Sequence, residues 1–487
     1  MPFVPRPEQE ILFKHLIETP HIPAYIIKSR RLGISTAIDT LITDLAVFQQ
    51  GFRGLIIDQK QADATKKMVE IVRFAYDSLD PLLRSRYVCD KRNDGELRVR
   101  LAGESESEDS VIFATTSGRG GDCSMLHVSE WGPIAATDPK RSNEIRTGAF
   151  PAARMGRRVV ETTWYGGKGG DLWEMVKPII EADPNAEGVL YFFPWHQDPQ
   201  AVKFDGAVTG EIEGYFRELA DKLGRCFSPE QKKWYAAKKL EQGIFVKREY
   251  PSTLEEAFSA PVQGSIYGPV LDELRAKRRI SHFEHDRSVP AVAAWDLGWN
   301  DSTSIWLVQA IGQELHWIWH ASDRHKTAAE MLARVRESGI NLAGHLIPHD
   351  GGHKPKTGGL SYKEELEKAG ALNVRVVPQC HSIWPGINAC RNLFARSWFR
   401  LPACEEGVNA LQNYHTKEVT DGGAISQEPV HDWSSHSADA ARTYAEAQGM
   451  GVVQTILKTP KQREQSYREW LNGDRERGGS ALSGMRL

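Results

Sequence analysis

Apolar positions in the first half of the chain come in short runs separated by amphipathic stretches. Residues 24–27 are apolar and break into a basic, glycine-containing loop, Lys28-Ser29-Arg30-Arg31-Leu32-Gly33-Ile34-Ser35-Thr36. Ile38, Leu41, Ile42 and Leu45 then recur at helical spacing, as Ile11, Leu12, His15 and Leu16 do upstream. Further strand-like runs fall at 54–58, 97–101, 111–115, 125–128, 158–162 and 189–193, with a helical pattern over 61–79. Such alternation predicts a mostly parallel sheet covered by helices, with sites at the carboxyl ends of its strands. From 206 to 285 the pattern is helical and charged, with Ser228-Pro229-Glu230-Gln231 as a helix start. Beyond it, runs at 291–296, 304–310 and 314–320 suggest a strand and a hairpin. A helix over 328–337, a strand ending at Asp350, runs at 374–377 and 388–394, and a helix opening near Ser435 complete the pattern.

The loop at 28–36 has the outline of a phosphate site. Backbone N–H groups at a helix N-terminus favour anions, and Ser35 supplies a hydroxyl to Mg²⁺. Against G-x-x-x-x-G-K-[ST], Gly33 and Ser35 match, but Lys28 stands at the first glycine and Ile34 at the lysine. Lys28 is the cation placed to fold back onto phosphates, and Ser29, Arg30, Arg31, Gly33, Ser35 and Thr36 complete the expected ATP-binding loop. Gln9, upstream, is a candidate for reading the adenine edge, since an amide offers both donor and acceptor. The buried-looking run at 124–128 ends in Ser129-Glu130, where a P-loop enzyme places a Mg²⁺ contact and a residue that orients water. Glu130 is the candidate base and Ser129 the metal contact. Thr162 and Thr163 suit a coupling element, and Arg119, on a glycine-rich loop, is a candidate arginine finger for a neighbouring subunit.

Composition narrows the class. The 487 residues are 40% hydrophobic and 26% charged, which is soluble globular composition spread over two or three domains. No run of about 18 apolar residues occurs, and residues 1–6 lack a signal-peptide plan, so the expectation is a cytoplasmic protein with no membrane association. Six scattered cysteines form no C-x-x-C pair, which argues against a zinc ribbon or a disulfide framework. A net charge of -3 gives no global pull toward nucleic acid; the basic runs at 28–31, 154–158, 275–279 and 354–356 are local.

Phe192-Phe193-Pro194-Trp195-His196-Gln197-Asp198-Pro199, Arg248-Glu249-Tyr250-Pro251-Ser252-Thr253-Leu254-Glu255-Glu256-Ala257-Phe258 and Ser435-His436-Ser437-Ala438-Asp439-Ala440 resemble signature segments of the large terminase subunit of tailed bacteriophages. The resemblance covers roughly residues 6–447. It implies a P-loop ATPase domain of the additional-strand type, which drives DNA into a procapsid, followed by an RNase H-like nuclease domain that cuts the concatemer. Expected boundaries are 1–205 for the ATPase domain, 206–285 for a helical subdomain and linker, 286–448 for the nuclease domain and 449–487 for a flexible tail. Ile34 and Ser129 depart from the commoner family pattern. Some large terminases are similar in carrying their lysine at the start of the loop, which supports Lys28 as the substitute.

Asp296 lies inside an apolar run, a costly place for a carboxylate without a partner or a metal. A carboxylate in a first strand, then a hairpin, is how an RNase H-like fold begins. Asp296, Asp350 and Asp439 are the expected catalytic metal ligands, with Asp301 and His436 as secondary candidates. Oxygen ligands acting on phosphodiesters suit Mg²⁺ or Mn²⁺. His345, His349 and His353 have four-residue spacing, but Pro348 and Gly351-Gly352 prevent a shared helix face, so zinc is set aside. Implied partners are double-stranded DNA, and by resemblance the portal, the small terminase subunit and further copies forming a ring; the tail, amphipathic over 467–471, is a candidate portal contact. Two alternatives stay open: a nuclease or resolvase with a non-hydrolysing loop, and a non-enzymatic subunit bridging portal and DNA.

Overall fold

A computed structural model describes residues 3–118, 121–165, 167–258, 264–298, 302–354, 358–380, 382–416 and 428–457. The chain divides into two compact units, residues 1–262 and 263–487.

In the first unit the strands are β1 (Ala24–Lys28), β2 (Arg53–Ile57), β3 (Tyr87–Arg92), β4 (Glu96–Leu101), β5 (Ser110–Thr115), β6 (Met125–Ser129), β7 (Arg157–Thr162) and β8 (Val189–Phe193). They form one sheet in the order β3-β4-β5-β2-β6-β7-β1-β8. Along this order pairing is parallel from β5 to β8, and β4 alone runs opposite, antiparallel to both β3 and β5. β7 lies between β1 and β6, which is the additional-strand arrangement of P-loop ATPases.

Strand periodicity sorts the core into two faces. Ile26, Met125 and Val159 pack with Ile38 and Ile42 of the helix Ile34–Phe48, while Tyr25, Ile27, Leu126, Val128 and Val160 pack with Trp131 and Trp164 on the other face. Because side chains alternate, Lys28, His127, Ser129 and Glu161 fall on the face of that helix. The strand-end polar residues therefore meet the loop's helix for a reason set by strand parity.

The pattern over 61–79 folds as a helix, Gln61–Lys67, a π-helical turn, Met68–Arg73, and a last helical turn, Phe74–Asp77. β3 was not visible in the pattern because it is a half-exposed edge strand with one neighbour. Ser228 caps the helix Pro229–Gln242 through a capping box with Gln231, and Trp195, Phe216, Phe227, Tyr235 and Tyr250 make a separate small core beside it.

The second unit carries β9 (Ile280–Ser281), β10 (Ala291–Asp296), β11 (Ser302–Ile311), β12 (Glu314–Arg324), β13 (Leu342–Ile347), β14 (Val374–Val376) and β15 (Ser397–Arg400), in the order β14-β13-β10-β11-β12-β15-β9. β10, β11 and β12 are antiparallel, and β13 and β14 add in parallel beside β10. This is the RNase H-like arrangement. Ala291, Ala293 and Trp295 face one core, and Val292 and Ala294 face the other, which holds the helix Ser435–Gly449. By parity Asp296 points to that helix's side. Ala438, Ala440, Ala441, Ala445 and Ala447 are all buried, and these small side chains let the helix lie close against β10 and β11. Val452–Leu457 forms one more helix, with Val453 and Ile456 in the core. The tail segment at 467–471 lies outside the described residues.

Candidate functional site

The loop between β1 and the helix Ile34–Phe48 is shaped by two positive-φ residues, Arg31 at 65° and Gly33 at 71°. Gly33 is the helix N-cap, a conformation glycine adopts without a Cβ penalty. Gln9 locks this turn: its Nε2 donates to the carbonyls of Leu32 at 3.3 Å and Gly33 at 3.0 Å, while its Oε1 accepts from the Arg6 amide at 3.0 Å. In this arrangement the Gln9 amide is spent on the loop backbone. Both terminase-like segments of the first unit reach the loop's start. The Ser29 amide donates to the Phe193 carbonyl at 2.9 Å, and the Glu249 carbonyl accepts from the Arg30 amide at 3.0 Å and from Ser29 Oγ at 3.2 Å. The Arg30 guanidinium pairs with the Glu249 carboxylate, and the segments join through Trp195 Nε1, which donates to Ser252 Oγ at 2.8 Å. Arg31 and Thr36 are exposed.

The polar centre beneath the loop is Glu161, on β7. It is fully buried, and its Oε1 accepts from Ser35 Oγ at 2.7 Å and Ser129 Oγ at 2.6 Å. Lys28 Nζ lies 3.0 Å from Glu161 Oε2 and 3.6 Å from Glu130 Oε1. His127 Nε2 stands 3.5 Å from Glu161, and its Nδ1 is 2.6 Å from Asp39 Oδ1, on the loop's helix. Burial alone would raise the Glu161 pKa, but Lys28 and the hydrogen bond from His127 outweigh it and hold the carboxyl well below the ordinary range. Burial would lower the Lys28 pKa, yet the two glutamates raise it, so the ammonium stays charged.

Glu130 directly follows β6 and is the N-cap of the next helix, Trp131–Thr137, in the left-handed region at φ 55°. Its carboxylate is partly exposed, accepts from Thr163 Oγ1 at 3.4 Å, and has a pKa raised by burial and by Glu161 against the pull of Lys28. Thr162 Oγ1 accepts from the Gly132 amide at 3.0 Å, and a Cβ at Gly132 would come within 2.9 Å of that oxygen. Lys28, Ser35, Ser129, Glu130 and Thr163 are thus gathered in one place, while Arg119 lies outside the described residues. Glu161, His127 and Asp39 were not singled out from the sequence. The available signal was parity: Glu161 is two residues after Val159 on a buried strand, and His127 two before Ser129.

In the second unit Asp296 ends β10, Asp350 follows β13 in a turn over His349–Gly352, and Asp439 sits in the first turns of the helix Ser435–Gly449. All three line one cleft of about 270 Å³, together with His349, Arg442 and Glu446. His436 Nδ1 lies 3.1 Å from Asp296 Oδ2, and Arg442 Nη2 donates to Asp439 Oδ1 at 2.8 Å. Burial pushes the Asp439 pKa up to about 6, with Arg442 opposing and the Asp296 charge adding to the rise. Like-charged oxygens sharing a partly enclosed cleft are relieved by a divalent cation, and carboxylate oxygens are the donor type that suits Mg²⁺ or Mn²⁺. Among the described residues no three His, Cys, Asp or Glu side chains are close enough to enclose one ion. Asp301 lies outside the described residues.

Residues 293–444 match the family model of the terminase RNaseH-like domain. No curated protein matches the chain. Similar solved structures include the large terminase of a thermophilic bacteriophage, at 13% identity and TM-score 0.34, covering 92% of this chain and 99% of that one. The HK97 bacteriophage large terminase is similar at 13% identity and TM-score 0.44, covering 92% and 96%. The nuclease domain of the P22 large terminase is similar at 21% identity and TM-score 0.28, covering 35% and 88%. Residues 293–444 of the second unit are thus similar to the terminase RNaseH-like domain, and the large terminases of bacteriophages are the proteins this chain resembles.

Proposed function

We propose that the chain is a DNA-packaging motor subunit that hydrolyses ATP in its first unit and cuts double-stranded DNA in its second. The observation that carries the reading is the gathering of Lys28, Ser35 and Glu130 around one buried carboxylate at the loop end of a P-loop sheet. Lys28 supplies the phosphate-facing cation that Ile34 cannot. The amides at the start of the helix Ile34–Phe48 add the favourable field of a helix N-terminus. Glu130, partly exposed and kept less acidic by burial, takes a proton from attacking water. Thr163, bonded to Glu130, links that base to β7.

In the second unit Asp296, Asp350 and Asp439 would hold Mg²⁺ or Mn²⁺. Metal held there would supply Lewis-acid stabilisation and a water of lowered pKa for phosphodiester hydrolysis. His436 orients Asp296, and Arg442 holds Asp439. No helix among the described residues is long and apolar enough to cross a membrane. The proposed setting is the host cytoplasm, with the portal, the small terminase subunit and further copies of the chain as partners.

The test is a pair of assays on the full chain: DNA-dependent ATP hydrolysis, and plasmid nicking with Mn²⁺. Each activity is expected, and each should be lost separately by Glu130→Gln and Asp296→Asn. Nicking without hydrolysis would favour a nuclease with an inert loop, and absence of both would favour a bridging subunit.

A further inference from the structure

P-loop enzymes hold their nucleotide's metal between the loop hydroxyl and an aspartate at the end of a nearby strand. Here the strand-end position is Ser129, which carries no charge. Its register partner on the adjacent strand is Glu161, so a carboxylate exists one strand to the side, on β7 and at the same level. Both hydroxyls of the site turn to it, Ser35 at 2.7 Å and Ser129 at 2.6 Å. Two cheaper arrangements were open to the sequence if the group were only structural. An apolar residue at 161 would continue the valines of β7, and a single ion pair with Lys28 would satisfy the charge. Instead Oε1 draws both site hydroxyls, while Oε2 lies 3.0 Å from the Lys28 ammonium.

We infer that Glu161 supplies the carboxylate of the Mg²⁺·nucleotide site, in the place of the missing acid at 129. The inference rests on the ATP-site reading above. Charge balance gives it a sequence of partners. Without nucleotide, the Lys28 ammonium pairs with Glu161 at 3.0 Å and lies 3.6 Å from Glu130. Glu161 would hold the Mg²⁺ of a bound Mg²⁺·ATP, which would leave Lys28 to the phosphates. One carboxylate on β7 thereby accounts for both the lysine at the loop's first position and the serine at 129.

The test is the affinity of the full chain for a fluorescent ATP analogue, measured with and without Mg²⁺. Wild type is expected to bind at least about tenfold tighter with Mg²⁺. Glu161→Gln should bind the metal-free analogue at least as tightly as wild type, because Lys28 is released, and should lose the Mg²⁺ enhancement. Ser129→Asp placed on the Glu161→Gln background should restore part of it, which a merely structural carboxylate would not do. Full enhancement in Glu161→Gln overturns the inference. If that variant does not fold, Glu161→Asp decides: it keeps the charge but withdraws it by one methylene, and an unchanged Mg²⁺ enhancement again overturns the inference. No binding by wild type under either condition removes the ATP-site reading itself, a different failure.

Discussion

The Lys28 ammonium and the Glu161 carboxylate lie 3.0 Å apart, sealed under the loop that follows β1, with both side chains almost wholly out of solvent. A buried pair of this kind adds little net stability, but removing one partner leaves an uncompensated charge that costs about 3–5 kcal/mol. Lys28→Met should therefore lower the denaturation midpoint sharply, and Lys28→Met with Glu161→Gln should recover most of the loss. A double variant as unstable as the single one would show that the pair is not coupled.

Glu130→Gln should keep the fold and the nucleotide affinity while hydrolysis falls by at least about a hundredfold, the usual loss on removing a general base. Glu130 sits at a helix start in the left-handed region and is not the charge that neutralises the buried centre, so its amide is tolerated. Equal losses of binding and turnover, read from titrations and steady-state rates, would assign it a binding role instead.

Asp296→Asn, Asp350→Asn and Asp439→Asn should each abolish Mn²⁺-dependent nicking and leave ATP hydrolysis unchanged, since the cleft they share lies within the second unit. Adding Mn²⁺ should also raise the unfolding temperature of wild type and not of Asp439→Asn. Nicking that survives all three changes would place the nuclease chemistry elsewhere.

Acid should loosen the platform that carries Asp439. His320 is buried, with Nε2 2.9 Å from Ser437 Oγ and 3.1 Å from Ser304 Oγ, and burial pushes its pKa down to about 3 with Arg334 adding to the fall. Its neutral form is favoured in the folded state, although Glu406 stands 3.8 Å from Nδ1. The sign is that of a depressed histidine: its contribution is full above the unfolded value near 6.5 and is lost as pH falls toward 3. Denaturation midpoints should decline over that window, and His320→Gln should flatten the decline. An unchanged slope would exclude His320 as its source.

The strand-loop-helix at 24–48 was legible because a fully buried strand and an amphipathic helix leave different periodicities. Asp296 was legible because a carboxylate in an apolar run has few reasons to be there. The edge strand β3 was not, since one exposed side removes the apolar alternation. Glu161 was missed for another reason: between two valines and two threonines it reads as the frayed end of a strand. Only the sheet order, with β7 inserted between β1 and β6, turns that end toward Ser35. Gln9 shows the converse, a residue whose candidate role came from its amide chemistry and whose amide the loop backbone occupies.

In the proposed function Lys28 does from the loop's first position what Ile34 cannot. ATP hydrolysis by the full chain with DNA present, compared between wild type and Lys28→Ala, tests it most directly. The account predicts measurable turnover in wild type and a loss of at least about a hundredfold in Lys28→Ala, on the scale of removing a main phosphate-stabilising group. Turnover in folded Lys28→Ala equal to wild type would contradict it.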